Sequence, residues 1–148
     1  MKVGVIMGSG SDAQRMRPAV EMLERFGVEA DEQVLSAHRT PDAVARFARE
    51  ARDAGYGALI CGAGMAAHLA GAVAAHTTLP VIGVPLSGSA LSGVDALYST
   101  VQMPRGIPVA TVAVDGAANA AVLAVEIMAV SDPDLASKLE EFRAAGAR

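Results

Sequence analysis

Residues 2–12 read KVGVIMGSGSD, and this stretch decides the fold. Val3, Val5, Ile6 and Met7 form a short apolar run that Gly8 breaks. A run this brief, apolar on both alternating sides, reads as a strand buried on both faces. From Asp12 the period changes. Met16, Val20, Leu23 and Phe26 recur at helical spacing, with Arg15, Glu21, Glu24 and Arg25 between them. Ser11 or Asp12 is expected to cap that helix and Gly27 to end it. Pro18 lies past the first turn, so it should kink the helix or delay its start.

The same unit recurs along the chain. Gln33 to Leu35 reads as a second strand, followed by Thr40 as a helix cap and Pro41 at the first helical position. Val44, Phe47, Ala48 and Ala51 give that helix its apolar stripe, and Gly55 stops it. Ala58–Cys61, Val81–Val84 and Val109–Val114 read as three more strands, with a small-residue helix over about Ala66–Ala75. The segment Ala117–Val130 is helical and apolar on nearly every side, so it must be covered all round, in part by another subunit. A last helix, about 133–145, starts after Asp132, carries Leu135, Leu139 and Phe142 on one face, and is expected to pack on a neighbouring subunit. Alternating strands and helices imply a five-stranded parallel sheet with helices on both faces, an α/β/α sandwich. No linker or internal repeat divides the 148 residues, which read as one domain over 1–148.

Composition narrows the partners. The net charge is −4 with no basic run, which argues against nucleic acid. No apolar run is long enough to span a membrane, and the amino terminus runs straight into a strand, so the expectation is a soluble cytoplasmic protein. The single cysteine, Cys61, sits inside an apolar strand and reads as a packing thiol; no metal-ligand spacing is present. A phosphorylated small molecule fits, because backbone amides and one arginine can hold a phosphate without a basic surface.

In a parallel sheet ligands bind beyond the carboxyl ends of the strands, where strand order reverses. Three loops are therefore candidates. In Gly8-Ser9-Gly10-Ser11-Asp12 the glycines allow a tight turn, the amides and hydroxyls offer donors, and Asp12 can accept from ribose hydroxyls. In Leu35-Ser36-Ala37-His38-Arg39-Thr40, Arg39 offers a planar, permanently charged fork, and His38 is of the residue type that takes and returns a proton near neutral pH. The third, Gly62 to Gly71, presents bare backbone and a second histidine, His68. His76 reads as a polar helix terminus. The long connections Ser87–Asp95 and Val101–Pro108 are of a kind that serves function or subunit contact.

These motifs, together with Ala90-Leu91-Ser92-Gly93-Val94-Asp95 and Gln102-Met103-Pro104-Arg105-Gly106-Ile107-Pro108, occur in one order from Lys2 to about Arg143. In that order they resemble the PurE family, the carboxyaminoimidazole ribonucleotide mutases of purine biosynthesis, in its class I form. The resemblance implies a flavodoxin-like fold, a homo-octamer, and transfer of a carboxylate from the exocyclic amine of a phosphoribosyl-imidazole to ring carbon 4. It implies no metal or organic cofactor, with carbon dioxide as a trapped intermediate.

Carried over by motif, His38 is the proton shuttle and His68 a second catalytic candidate. Ser9, Ser11 and Asp12 hold the ribose phosphate end, Ser36 and Arg39 the phosphate, and Ala37 lines the same loop. Gly64, Met65, Ala66, His68 and Leu69 line the pocket for the carboxylate and carbon dioxide. Many relatives have Gly where this chain has Met65 and Pro where it has Ala70. Asp115-Gly116 replaces a longer insert of some relatives, and a merely shortened surface turn is expected there. Two other readings compete: class II direct carboxylation of aminoimidazole ribonucleotide, and a non-catalytic flavodoxin-like nucleotide carrier.

Overall fold

Strands β1 (Lys2–Met7), β2 (Glu29–Val34), β3 (Tyr56–Gly64), β4 (Val81–Leu86) and β5 (Ala110–Thr111) form one sheet in a computed structural model that describes residues 1–147. Every neighbouring pair is parallel, in the order β2-β1-β3-β4-β5. This is the flavodoxin-like order, and it reverses direction between β1 and β3.

Helices α1 (Ala13–Arg25), α5 (Ala117–Ala129) and α6 (Pro133–Ala144) cover one face, and α2 (Pro41–Glu50), α3 (Leu69–Ala74) and α4 (Val94–Val101) the other. The two-residue alternation of β1 feeds both cores. Val3, Val5 and Met7 point towards α1 and α5, while Ile6 points towards α2 and α3. Small residues set how closely the layers approach. A Cβ placed on Gly62 of β3 would lie 2.3 Å from the Met16 Sδ of α1, so glycine leaves the space that the Met16 side chain fills against the sheet. Cys61 is buried on the other face, where burial pushes its thiol up and leaves it a packing group.

Several boundaries differ from the sequence reading. Strand β2 starts at Glu29, four residues earlier than expected, because as an edge strand it carries charges that hide it from a hydrophobic pattern. Half-buried Asp31 on it is satisfied by the Tyr56 hydroxyl and by Gln33 Nε2. Strand β5 shrinks to two residues, although Val112 N–H on Gly83 O and Asp115 N–H on Pro85 O keep the chain beside β4. Helix α3 begins at Leu69 rather than Ala66, since Met65 takes a left-handed φ of 54° and holds the preceding loop out of helical geometry.

Helix α1 begins at Ala13 and runs through Pro18 to Arg25, so Pro18 does not delay it. Neither Ser11 nor Asp12 caps it through a side chain. Ser9 instead caps a short 3-10 turn, Gly10–Asp12, that leads into it. Thr40 occupies the N-cap of α2, but its hydroxyl is spent on the Ser36 backbone rather than on the helix.

The buried side of α5, Ala117, Ala120, Ala121, Ala124, Val125 and Met128, packs on α1, α6 and the sheet, while Val122, Leu123 and Ile127 are half-buried. The apolar face of α6 is spent on its own chain: Leu135, Leu139 and Phe142 are buried, and the Phe142 ring meets Phe26 edge-on at 5.3 Å. A neighbouring subunit would therefore have to use the outward side of this helix. No helix among the described residues is long and apolar enough to cross a membrane.

Candidate active site at the carboxyl edge of the sheet

The order reversal places the loops after β1 and β3 side by side, and β2 adds its own loop next to β1. Each loop is locally held. After β1, Ser11 donates through its amide to Ser9 Oγ at 3.3 Å and through its hydroxyl at 2.9 Å. After β2, Leu35 N–H bonds to Met7 O at 2.9 Å, and the turn Ser36–Thr40 closes on itself. Arg39 N–H donates to Ser36 Oγ at 3.2 Å, and Thr40 Oγ1 donates to Ser36 O at 3.1 Å. That turn projects the exposed side chains of His38 and Arg39. After β3, Ala67 N–H bonds to Met65 O at 2.9 Å, which fixes the bend ahead of His68.

A cleft of about 560 Å³ opens among these loops. From the β1 loop come Ser9, Ser11 and Asp12, and from the β2 loop Ser36, Ala37, His38 and Arg39. Gly64, Met65, Ala66, His68 and Leu69 of the β3 loop line the remaining wall. Every residue that the resemblance assigned to the site thus borders one space. The imidazoles of His38 and His68 meet edge to face, with centroids 5.5 Å apart and an interplanar angle of 75°. His76 lies elsewhere, with its Nδ1 3.5 Å from Arg49 Nη2. A second, more apolar cavity of about 490 Å³ shares His38, Ala66 and His68 and is completed by Gly71, Met103 and Ile107. The histidine pair therefore stands between a polar cleft and an apolar one.

Burial pushes the Asp12 carboxyl above its ordinary value, while the Arg15 guanidinium and a backbone hydrogen bond at Ser9 pull the other way without cancelling it. Among the described residues, no phenyl, phenol or indole ring lines the cleft.

The family described as AIR carboxylase matches residues 2–148. The chain belongs to that family. An N5-carboxyaminoimidazole ribonucleotide mutase of Vibrio vulnificus is 54% identical over 97% of this chain and 90% of its own length. A phosphoribosylaminoimidazole carboxylase of Schizosaccharomyces pombe is 53% identical over 95% of this chain, which spans only 25% of that protein. Among solved structures, PurE of Treponema denticola superposes with a TM-score of 0.89 at 29% identity, covering 98% of this chain and 90% of that one.

Arg15 escaped the sequence reading, and Gly8, Ala63, Ser87 and Gly88, although their segments stood out, were not assigned to the site. Arg15 reads as one more exposed polar position of α1, yet it lines the cleft. Ser87 and Gly88 form a fourth wall after β4. That wall is clasped from outside: Ser87 N–H donates to Asp115 Oδ1 at 2.9 Å, and the Ser87 hydroxyl donates to Asp115 Oδ2. Asp115-Gly116 is thus more than a shortened surface turn. Asp115 sits at a φ of 57° and uses both carboxylate oxygens on the loop that borders the cleft.

Proposed function

We propose that the protein is an N5-carboxyaminoimidazole ribonucleotide mutase of purine biosynthesis, an isomerase that transfers a carboxyl group within one molecule. The observation that carries this reading is the placement of His38: beside Arg39, against His68, and between the hydroxyl-lined cleft and its apolar annex. Ser9, Ser11, Ser36 and Arg39 supply donors for a phosphate, and Asp12 supplies an acceptor for ribose hydroxyls.

The reaction needs few parts. The carbamate carbon–nitrogen bond breaks, carbon dioxide leaves, and His38 delivers a proton to the exocyclic nitrogen. Ring carbon 4 then attacks the carbon dioxide and forms the new carbon–carbon bond. His38 takes the proton from carbon 4, restoring the aromatic ring and its own starting state. One group that gives and then takes a proton is worth roughly 10²–10⁴ in rate, and positioning by the loops supplies much of the rest. The small, backbone-rich wall of Gly64 and Ala66, with Leu69 behind it, suits a chamber that retains carbon dioxide.

A homo-octamer accounts for the apolar surface that one chain leaves bare. Leu91, Val94, Tyr98 and Val101 on and just before α4 are 62%, 48%, 64% and 46% exposed, and they recur at helical spacing. The cell compartment that suits a purine-pathway enzyme of this kind is the cytoplasm.

Direct carboxylation is the rival that the fungal relative's name favours. Offering purified protein N5-carboxyaminoimidazole ribonucleotide, and separately aminoimidazole ribonucleotide with bicarbonate, discriminates between them. Efficient turnover of the first is expected. Turnover confined to the second would overturn the proposal.

A further inference from the structure

The cleft contains a cation for which neither the motif reading nor the proton chemistry has a use. Arg15 leaves the first turn of α1, borders the cleft, and makes no salt bridge among the described residues. Its guanidinium rests on Gly88. A Cβ placed there would lie 3.2 Å from Nη2, 3.3 Å from Cζ and 3.5 Å from Nη1. Three nearly equal distances mean that the guanidinium presents its flat face to the glycine. Its N–H rim is then left for hydrogen bonding, the edge with which arginine grips carboxylates and phosphates. Gly88 itself has a φ of 128°, so a side chain there would be strained as well as obstructed by Arg15.

Topology places this cation opposite the other one. Arg39 follows β2 and Gly88 follows β4, with β1 and β3 between them. Three strand spacings of about 4.8 Å separate the two loops by roughly 14 Å. Charge bookkeeping points the same way. Asp12 and Arg39 alone would leave the lining neutral, a poor match to a substrate that carries both a phosphate and a carboxylate. Arg15 tips it positive, and its charge also opposes the effect of burial on Asp12.

We propose that Arg15 is a substrate-binding residue, its guanidinium taking an oxyanion of the substrate at the β4 end of the cleft while Arg39 takes one at the β2 end. This rests on the mutase reading above.

The test is steady-state kinetics of wild type, Arg15→Gln and Arg15→Lys with N5-carboxyaminoimidazole ribonucleotide, with melting temperature as a folding control. Removing one charge-assisted contact is expected to raise KM roughly 10- to 100-fold while kcat stays within about threefold, and lysine is expected to recover a substantial part of the loss. Inhibition by ribose 5-phosphate identifies the oxyanion. A weakened inhibition constant in Arg15→Gln assigns Arg15 to the phosphate, and an unchanged constant alongside a raised KM assigns it to the carboxylate. An Arg15→Gln enzyme with wild-type KM overturns the inference and leaves the mutase reading standing. A wild-type enzyme that does not turn the substrate over overturns that reading itself.

Discussion

His38 and His68 stand edge to face, their ring centroids 5.5 Å apart, although they come from loops on different strands. The contact gives the His38 ring a neighbour that orients it without capturing its nitrogens, since neither imidazole forms a side-chain hydrogen bond with another described residue. The proton carrier of the proposed mechanism needs that freedom. His38→Asn keeps a polar side chain of similar reach and removes the imidazole. Turnover is expected to fall by about 10²–10⁴, with product affinity changed by less than about threefold. Isothermal titration beside a rate assay checks both. His68→Asn is expected to lower kcat less, because it disturbs orientation and not the proton itself.

Arg39 lies one residue from His38, and in the proposed mutase it anchors the substrate. Arg39→Ala should raise KM by roughly 10- to 100-fold and leave kcat within a few-fold of wild type. A loss confined to kcat would contradict the anchoring role.

Met65 is 66% exposed and holds a φ of 54°, so its side chain returns little burial for a left-handed backbone. That conformation costs a non-glycine residue roughly 1–2 kcal/mol, part of which glycine gives back as freedom in the unfolded chain. Met65→Gly is expected to stabilise the fold by about 1 kcal/mol and to raise the melting temperature by roughly 3 °C. An unchanged or lower melting temperature would show that Met65 is held by contacts outside the single chain.

Asp12 makes stability depend on pH in a direction unlike that of most carboxylates. Its pKa is raised in the folded state, so the folded chain holds the proton more tightly than the unfolded one. The stability this provides is fully present below the ordinary value of 3.8 and is lost as pH rises through the raised value. At neutral pH the ionised carboxylate is therefore a net cost. Asp12→Asn should melt higher than wild type at pH 7, with the gain shrinking as pH falls towards 3.8, while KM rises. Thermal scans across that range check the sign, and a variant that melts lower at pH 7 would contradict it.

Asp115 is the outer support of the β4 wall. Asp115→Asn tolerates the same left-handed φ but weakens a charge-assisted clasp on Ser87. Faster amide hydrogen exchange at Ser87 is expected, together with a raised KM. Unaltered exchange would mean that the wall is held from elsewhere.

How much of this was legible in the chain depends on what each element buries. Strand β1 announced itself because both its faces are covered, so its apolar run is unbroken. Strand β2 showed only its last residues, because an edge strand can carry Glu29, Asp31 and Glu32 and still form its ladder. The candidate loops were legible through topology, since turns after parallel strands must gather at one edge. Arg15 and Asp115 were not, because each lies against a partner distant in sequence: Gly88 lies 73 positions from Arg15, and Ser87 lies 28 from Asp115. Only the fold brings those pairs together.

The central claim is that the carboxyl group moves within one molecule, ferried as carbon dioxide inside the cleft while His38 handles the proton. It is tested most directly by giving the enzyme N5-carboxyaminoimidazole ribonucleotide labelled with carbon-13 at the carbamate, in excess unlabelled bicarbonate, and reading the product by carbon-13 NMR. Label retained at the carboxylate on ring carbon 4 is the predicted result. An unlabelled carboxylate, drawn from the surrounding bicarbonate, would contradict the account.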